Sequence, residues 1–240
     1  MPTALAVSLA ALLGLPVGAA ARRAALAYTV PSGQPPRTTC PHCQEPITSL
    51  ALRTTLGRCR SCGQRLGAPA LLPELLTAAL WALAIAALGV SWTAAALLWL
   101  STCSVALALA DWTHHLLPDR LTLPTGAGLI ALLAIAAAAD HQGAAFARAL
   151  GGGLALGAFY LLVALVSNLG LGDVKLAPTL GAALAWFGWR YLLPGLLLGF
   201  LLGALYGTAL LVTRRAFRNH RIAFGPFMIS GTLAVCLLAG

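Results

Sequence analysis

Charge is scarce in this 240-residue chain: Asp, Glu, Lys and Arg together make up 9% of it, against 60% hydrophobic residues. Soluble domains carry roughly 25% charged residues. A water-soluble globular protein is therefore excluded, and the mean hydropathy of +0.88 comes from long apolar runs. Acidic residues are scarcer still, six against fifteen basic ones. The basic residues form no patch interleaved with aromatics but fall between apolar runs, so the net charge of +9 reflects membrane topology and not nucleic-acid binding. Lysine is confined to Lys175, a bias toward arginine that carries no functional information. No internal repeat is present.

What is present is a series of eight apolar runs, at 4–21, 71–90, 93–110, 121–139, 146–167, 174–189, 192–213 and 222–239. A span needs about 20 mostly apolar residues, fewer where flanking groups snorkel. The first run has no positive region before it and meets Arg22 and Arg23 at its far end, so it is expected to stay in the membrane and not to be cleaved as a signal peptide. With the N-terminus outside, thirteen basic residues fall on the cytoplasmic side: seven from Arg22 to Arg65, then Arg120, Lys175, Arg214, Arg215, Arg218 and Arg221. Arg148 and Arg190 alone fall outside. The positive-inside rule selects that orientation. The expectation is an all-α polytopic membrane protein of about eight transmembrane helices with a small cytoplasmic zinc-binding loop. Residues 1–30 form the first helix and its basic flank, 31–70 the loop, and 71–240 the remaining transmembrane domain.

The loop carries Cys40-Pro41-His42-Cys43 and, fifteen residues on, Cys59-Arg60-Ser61-Cys62. Two C-x-x-C pairs on turns can close a tetrahedron of thiolates around zinc, and a polar loop too small for its own core gains folding energy from the metal. Two disulfides are the alternative, disfavoured in a reducing compartment. Four thiolates leave no open position for water, so the zinc is structural. His42 is expected to be a solvated turn residue, and Cys103 and Cys236 packing residues within spans.

Glu45 and Glu74 belong to the loop and its exit, and Asp140 to an outside turn. Asp111, Asp119 and Asp173 converge on the cytoplasmic side. Asp111 ends the third span and Asp173 opens the sixth in Gly170-Leu171-Gly172-Asp173-Val174-Lys175. An ionisable group at that depth is a functional candidate. Helix capping is the plain alternative and the expected role of Asp119; for Asp111, at a helix C-terminus, the macrodipole argues against it. Gly170 and Gly172 permit close backbone approach beside the Asp173 carboxylate. Two carboxylates from separate helices can share a proton, one taking a proton from water while the other donates to a substrate carbonyl, which is aspartic-protease chemistry. His114 and His115 neighbour Asp111, but adjacent helical residues point in different directions, so direct catalysis is not expected of either. Lys175 is expected to snorkel to the interface, and Trp112, Trp186, Trp189 and Tyr191 to sit in interfacial belts.

These motifs resemble those of the type IV prepilin leader peptidases, membrane aspartic peptidases with a G-x-G-D signature. Asp111 followed by Leu117-Pro118-Asp119 and Leu121-Thr122-Leu123-Pro124 is similar to the family's first catalytic motif, and Gly170 to Leu176 to its second. Phe224-Gly225-Pro226-Phe227, Glu74 and the cysteine loop also match. The resemblance covers roughly residues 40–230 and implies Asp111 and Asp173 as catalytic, with Asp119, Gly170, Gly172 and Lys175 supporting. It implies a prepilin or pseudopilin substrate with a basic leader in the cytosol and an apolar helix in the inner membrane. The N-terminal end departs from the family pattern: Gly18-Ala19-Ala20-Ala21-Arg22-Arg23 stands where a G-S-F-L-N-V-type stretch is usual, and Ile47 to Leu52 lacks the usual proline motif. Many relatives also methylate the new N-terminus with S-adenosylmethionine, an activity linked to this half, so N-methylation is left open here. The rival class is a proton- or cation-coupled transporter using intramembrane carboxylates; a third is a non-catalytic assembly scaffold.

Overall fold

A computed structural model describes residues 2–30, 34–46, 57–115, 117–167, 170–213 and 223–240. Among these residues eight α-helices follow one another: α1 Pro2–Tyr28, α2 Leu72–Leu88, α3 Trp92–His114, α4 Asp119–Ala139, α5 Gly143–Val166, α6 Leu171–Phe187, α7 Leu192–Val212 and α8 Gly225–Ala239, with a 3-10 turn at Trp189–Tyr191. The eight apolar runs thus correspond to eight helices. Five of the helical stretches are long and apolar enough to cross a membrane, and α2 and α8 are shorter apolar helices. A 15-residue helix such as α8 rises only about 22 Å, short of a hydrocarbon core of about 30 Å. Arg53, Arg214, Arg215, Arg218, Arg221 and the stretch Ile47 to Leu52 lie outside the described residues.

In lipid, apolar faces gain nothing by meeting each other, so small residues that let backbones approach must hold the bundle together. Three such contacts stand out. On α1, a Cβ added at Gly14 or Gly18 would lie 2.6 Å from the backbone Cα of Ala78 or Glu74 on α2. On α5, Gly153 and Gly157 pack against Pro178 and its carbonyl on α6. On α8, Gly231 fits against the backbone of Gly195 and Gly199 on α7. Helix α6 occupies the centre: residues Thr179 to Trp186 are all buried, among neighbours from α4, α5 and α8. Its C-terminal carbonyls are satisfied from outside the helix, because Arg148 of α5 donates from Nε to Ala185 O (2.7 Å) and from Nη2 to Trp186 O (2.6 Å). Trp186 is 4% exposed and belongs to this core, which corrects its expected place in an interfacial belt. Trp189 keeps 55% of its surface exposed.

Arg22 is a second correction. It does not mark a span end but lies inside α1, buried, with Nε donating to Glu74 Oε1 of α2 at 3.0 Å. The pair joins the two helices that flank the cysteine loop. A buried pair of this kind is destabilising when one partner is removed.

The α1–α2 contact generates a packing prediction. Gly18→Leu forces a side chain into the α2 backbone, which cannot yield as a flexible side chain would, and should cost about 1–3 kcal/mol. Thermal unfolding in detergent is expected to show a lowered midpoint for Gly18→Leu and an unchanged one for Gly143→Ala, where an added Cβ meets nothing within 4 Å.

Candidate active site

Eight helices of alternating direction place the ends of α1, α3, α5 and α7 and the starts of α2, α4, α6 and α8 on one face. There a cavity of about 540 Å³ is lined by Asp111, Asp119 and Asp173 together with Lys175, His115 and Tyr28. The three carboxylates that the sequence places on one side are therefore brought to one site.

Asp111 lies in the last turn of α3, which ends at His114, four residues beyond the apolar run 93–110. It is 6% exposed, and its Oδ2 accepts the backbone N–H of Gly225 at 3.0 Å. Gly225 opens α8, where the first N–H groups have no intrahelical partner, and Pro226 presets the helical φ just behind it. The Asp111 carboxylate thus sits at the positive end of α8, which offsets its unfavourable place at the C-terminus of α3. An added Cβ at residue 225 would come 2.8 Å from that Oδ2, so glycine is required for the approach. Asp173 is the third residue of α6 and is 7% exposed, with its N–H donated to Gly170 O at 3.0 Å.

Leu117 connects the three motifs. Its Cβ lies 2.9 Å from where a Cβ of residue 172 would be, and its Cδ1 is 3.5 Å from that position at residue 225. The glycine of the G-x-G-D sequence therefore makes room for a leucine from the loop after α3, and close approach to the carboxylate is not its role. Gly170 is the residue facing Asp173, 3.6 Å from its Oδ2 by the same construction.

Asp119 is not a cap. Pro118 precedes the helix, Asp119 is its first residue, and no side-chain capping bond is made. Lys175 instead donates to both Asp119 oxygens, at 2.7 and 2.9 Å. Lys175 therefore does not simply snorkel. Both side chains are about half exposed, at 51% and 54%, and an ion pair of that exposure contributes roughly 0–1 kcal/mol. Its effect is to tie the start of α4 to the first turn of α6 beside the cavity. The two histidines diverge, as expected of neighbours: His115 lines the cavity with Asp111, whereas His114 lines a separate small cleft with Arg22 and Thr29. Trp112 packs against Tyr206 and Phe227, ring centroids 5.3 and 6.5 Å away, and so joins α3 to α7 and α8.

The cysteine loop folds into two matching turns. Cys40 N–H donates to Glu45 O and Gln44 N–H to Cys40 O; Cys59 N–H donates to Gln64 O and Gly63 N–H to Cys59 O. Bridges at Thr39–Pro46 and Arg58–Arg65 close each turn. The four Sγ atoms lie within 4.8 Å of one another, with Cys40–Cys62 at 3.8 Å and Cys43–Cys59 at 3.6 Å. Thiolates at about 2.3 Å from one tetrahedral metal ion are separated by about 3.8 Å. The set fits such an ion, and all four are free thiols. Backbone N–H groups of Cys62 and Ser61 hold the Cys59 thiol down to about 6, whereas desolvation and the neighbouring thiols raise Cys43 and Cys62, as expected of four thiols crowded together in place of a cation. Elemental analysis of the purified protein should find one metal ion per chain, lost in the Cys40→Ser/Cys59→Ser variant and released on acidification, since protons compete for thiolates.

The sequence profile of the type IV leader peptidase family matches residues 96–208. A prepilin leader peptidase/N-methyltransferase of Aeromonas hydrophila is 38% identical over 210 residues, covering 83% of this chain and 71% of the relative. Proteins of the same name from Aeromonas salmonicida and Pseudomonas aeruginosa are 37% and 35% identical, again over 83% of this chain and 71% of each relative. No solved structure matches the chain. The profile spans both carboxylate motifs, and the relatives extend the likeness over most of the chain: this protein belongs to the type IV leader peptidase family.

Proposed function

We propose that this protein is a membrane aspartic endopeptidase that removes the basic leader from type IV prepilins or pseudopilins, with Asp111 and Asp173 as the catalytic pair. The observation that carries the reading is the meeting of two buried carboxylates, from the end of α3 and the start of α6, in one cavity at one face of the bundle. Asp111 Oδ2 is committed to the Gly225 N–H, so Oδ1 is its atom for the reaction. One carboxylate takes a proton from water as the water oxygen bonds to the scissile carbonyl carbon, and the other, protonated, gives its proton to the carbonyl oxygen. When the tetrahedral intermediate collapses, a hydroxyl returns its proton to the carboxylate that gave one, the C=O bond re-forms, the C–N bond breaks, and the proton first taken passes to the leaving nitrogen. Asp119 and Lys175 act beside the pair by fixing α4 against α6, Gly170 by facing the Asp173 carboxylate, and Gly172 by making room for Leu117.

The distribution of basic residues supports a cytosolic setting for this face of an inner-membrane protein, where a leader would arrive and where residues 31–70 would stay reduced. Zinc is the metal that four cysteine thiolates at this spacing favour. It would hold residues 31–70 together as a unit beside the peptidase domain of 71–240, with no part in hydrolysis. N-methylation with S-adenosylmethionine rests on the relatives' name alone. A transporter would call for carboxylates at mid-depth, whereas Asp111 and Asp173 sit in terminal turns, and the relatives carry peptidase names.

Cleavage of the host prepilin by purified variants, followed by mass spectrometry, tests the reading. Asp111→Asn and Asp173→Asn should each lose about 10²–10⁴-fold in rate, the range for removal of a general acid or base. Asp119→Asn should stay within about fivefold of wild type, as an exposed ion pair allows. Retained cleavage in either of the first two, with metal content intact, contradicts the proposal. The mass of the new N-terminus shows whether a methyl group is added. Gly225→Ala should reduce the rate strongly without altering metal content, because its Cβ displaces the Asp111 carboxylate.

A further inference from the structure

A second cavity lies on the lipid-facing side of the bundle, a groove of about 880 Å³ between α2, α3 and α8. It runs along α8 from Pro226 to Leu238, about 18 Å at 1.5 Å per residue. Its floor contains two small pairs four residues apart, Ser104 and Ala108 on α3 and Ser230 and Ala234 on α8. Elsewhere in this bundle, pairs so spaced are where helices meet: Gly14 and Gly18 on α1, Gly153 and Gly157 on α5, Gly195 and Gly199 on α7. In the groove Ser230 is exposed, and among the described residues no helix lies across it.

Ser104 supplies an independent observation. It is fully buried, lines the groove, and its Oγ has no hydrogen-bond partner among the described residues. Helical hydroxyls ordinarily bond back to a carbonyl one turn earlier, and its neighbours do so: Ser101 and Thr102 to Leu98 O, Ser230 to Pro226 O. An unpaired hydroxyl away from water is costly, and in a membrane its partner comes from another helix.

One end of the groove also lies next in sequence to residues that hold the carboxylate site. Pro226, at its end, follows the Gly225 whose N–H holds Asp111, and Ala108 is three residues before Asp111 on α3. We propose that the apolar helix of the substrate docks in this groove, with a polar backbone or side-chain group meeting Ser104, and that this seat delivers the bond to be cut to Asp111. The inference rests on the peptidase reading above. A lipid acyl chain would require neither the paired small residues nor the hydroxyl.

The test uses photocrosslinking in nanodiscs of phosphatidylethanolamine and phosphatidylglycerol. The probe p-benzoylphenylalanine replaces Leu83 or Leu238, exposed rim residues at 54% and 86%, or Leu201 of α7, 55% exposed and away from the groove, as a control. With full-length prepilin added, both rim positions should cross-link to residues of its apolar helix and the control should not. Cross-linking to lipid alone, or equally from all three sites, overturns the proposal. In addition, Ala234→Phe should raise KM for full-length prepilin about tenfold relative to KM for a soluble peptide ending before the apolar helix; an unchanged ratio also overturns it. Repeating the cross-link with Asp173→Asn separates the two claims. Cleavage persisting there contradicts the catalytic pair, whereas a missing cross-link contradicts the groove.

Discussion

The hydrogen bond from the Gly225 backbone to the Asp111 carboxylate is the contact on which the site depends. A carboxylate at the C-terminal end of α3 meets the negative end of that helix and is largely withdrawn from water, at 6% exposed. What makes the position tenable is a second helix starting against it, with free N–H groups and a positive end. Only glycine permits the approach, and a proline behind it fixes the direction in which α8 leaves. The Phe-Gly-Pro-Phe sequence is thus the support of a residue 114 positions earlier.

That support requires helices held at fixed depth and rotation in a solvent that gives them no reason to associate. Small residues perform this task. Glycines on α1, α5, α7 and α8 bring backbones into contact, and the buried Arg22–Glu74 pair adds a polar lock between α1 and α2. Helix α6, buried without a break from Thr179 to Trp186, carries Asp173 at one end and is capped by Arg148 at the other. The cysteine turns stand between α1 and α2. A metal there would constrain the two helices beside the cavity without touching the carboxylates.

Much of this was legible in the sequence, because hydropathy reports which residues leave water and thiol spacing reports which can share a metal. The eight runs, the four cysteines and the convergence of Asp111, Asp119 and Asp173 all came from such local signals. Hydropathy does not report which apolar face meets protein and which meets lipid, so Trp186 read as interfacial although it is core, and α6 read as no more central than its neighbours. Charge counting took Arg22 as part of a basic flank because its partner Glu74 is 52 residues away. Asp119 had the position of a cap, but an ion pair with Lys175 across 56 residues took precedence. The role of Gly225 was hidden for the same reason: a backbone donor leaves no mark in composition.

The central claim is that Asp111 and Asp173 act as one device on the tetrahedral intermediate, and its most direct test is the binding of a mimic of that state. A leader-spanning prepilin peptide with a hydroxyethylene group in place of the scissile amide should bind wild type at least about 100-fold more tightly than the parent peptide. That advantage should vanish in Asp111→Asn and in Asp173→Asn alike, while the parent peptide's affinity is kept. An advantage that survives in either variant would contradict the account.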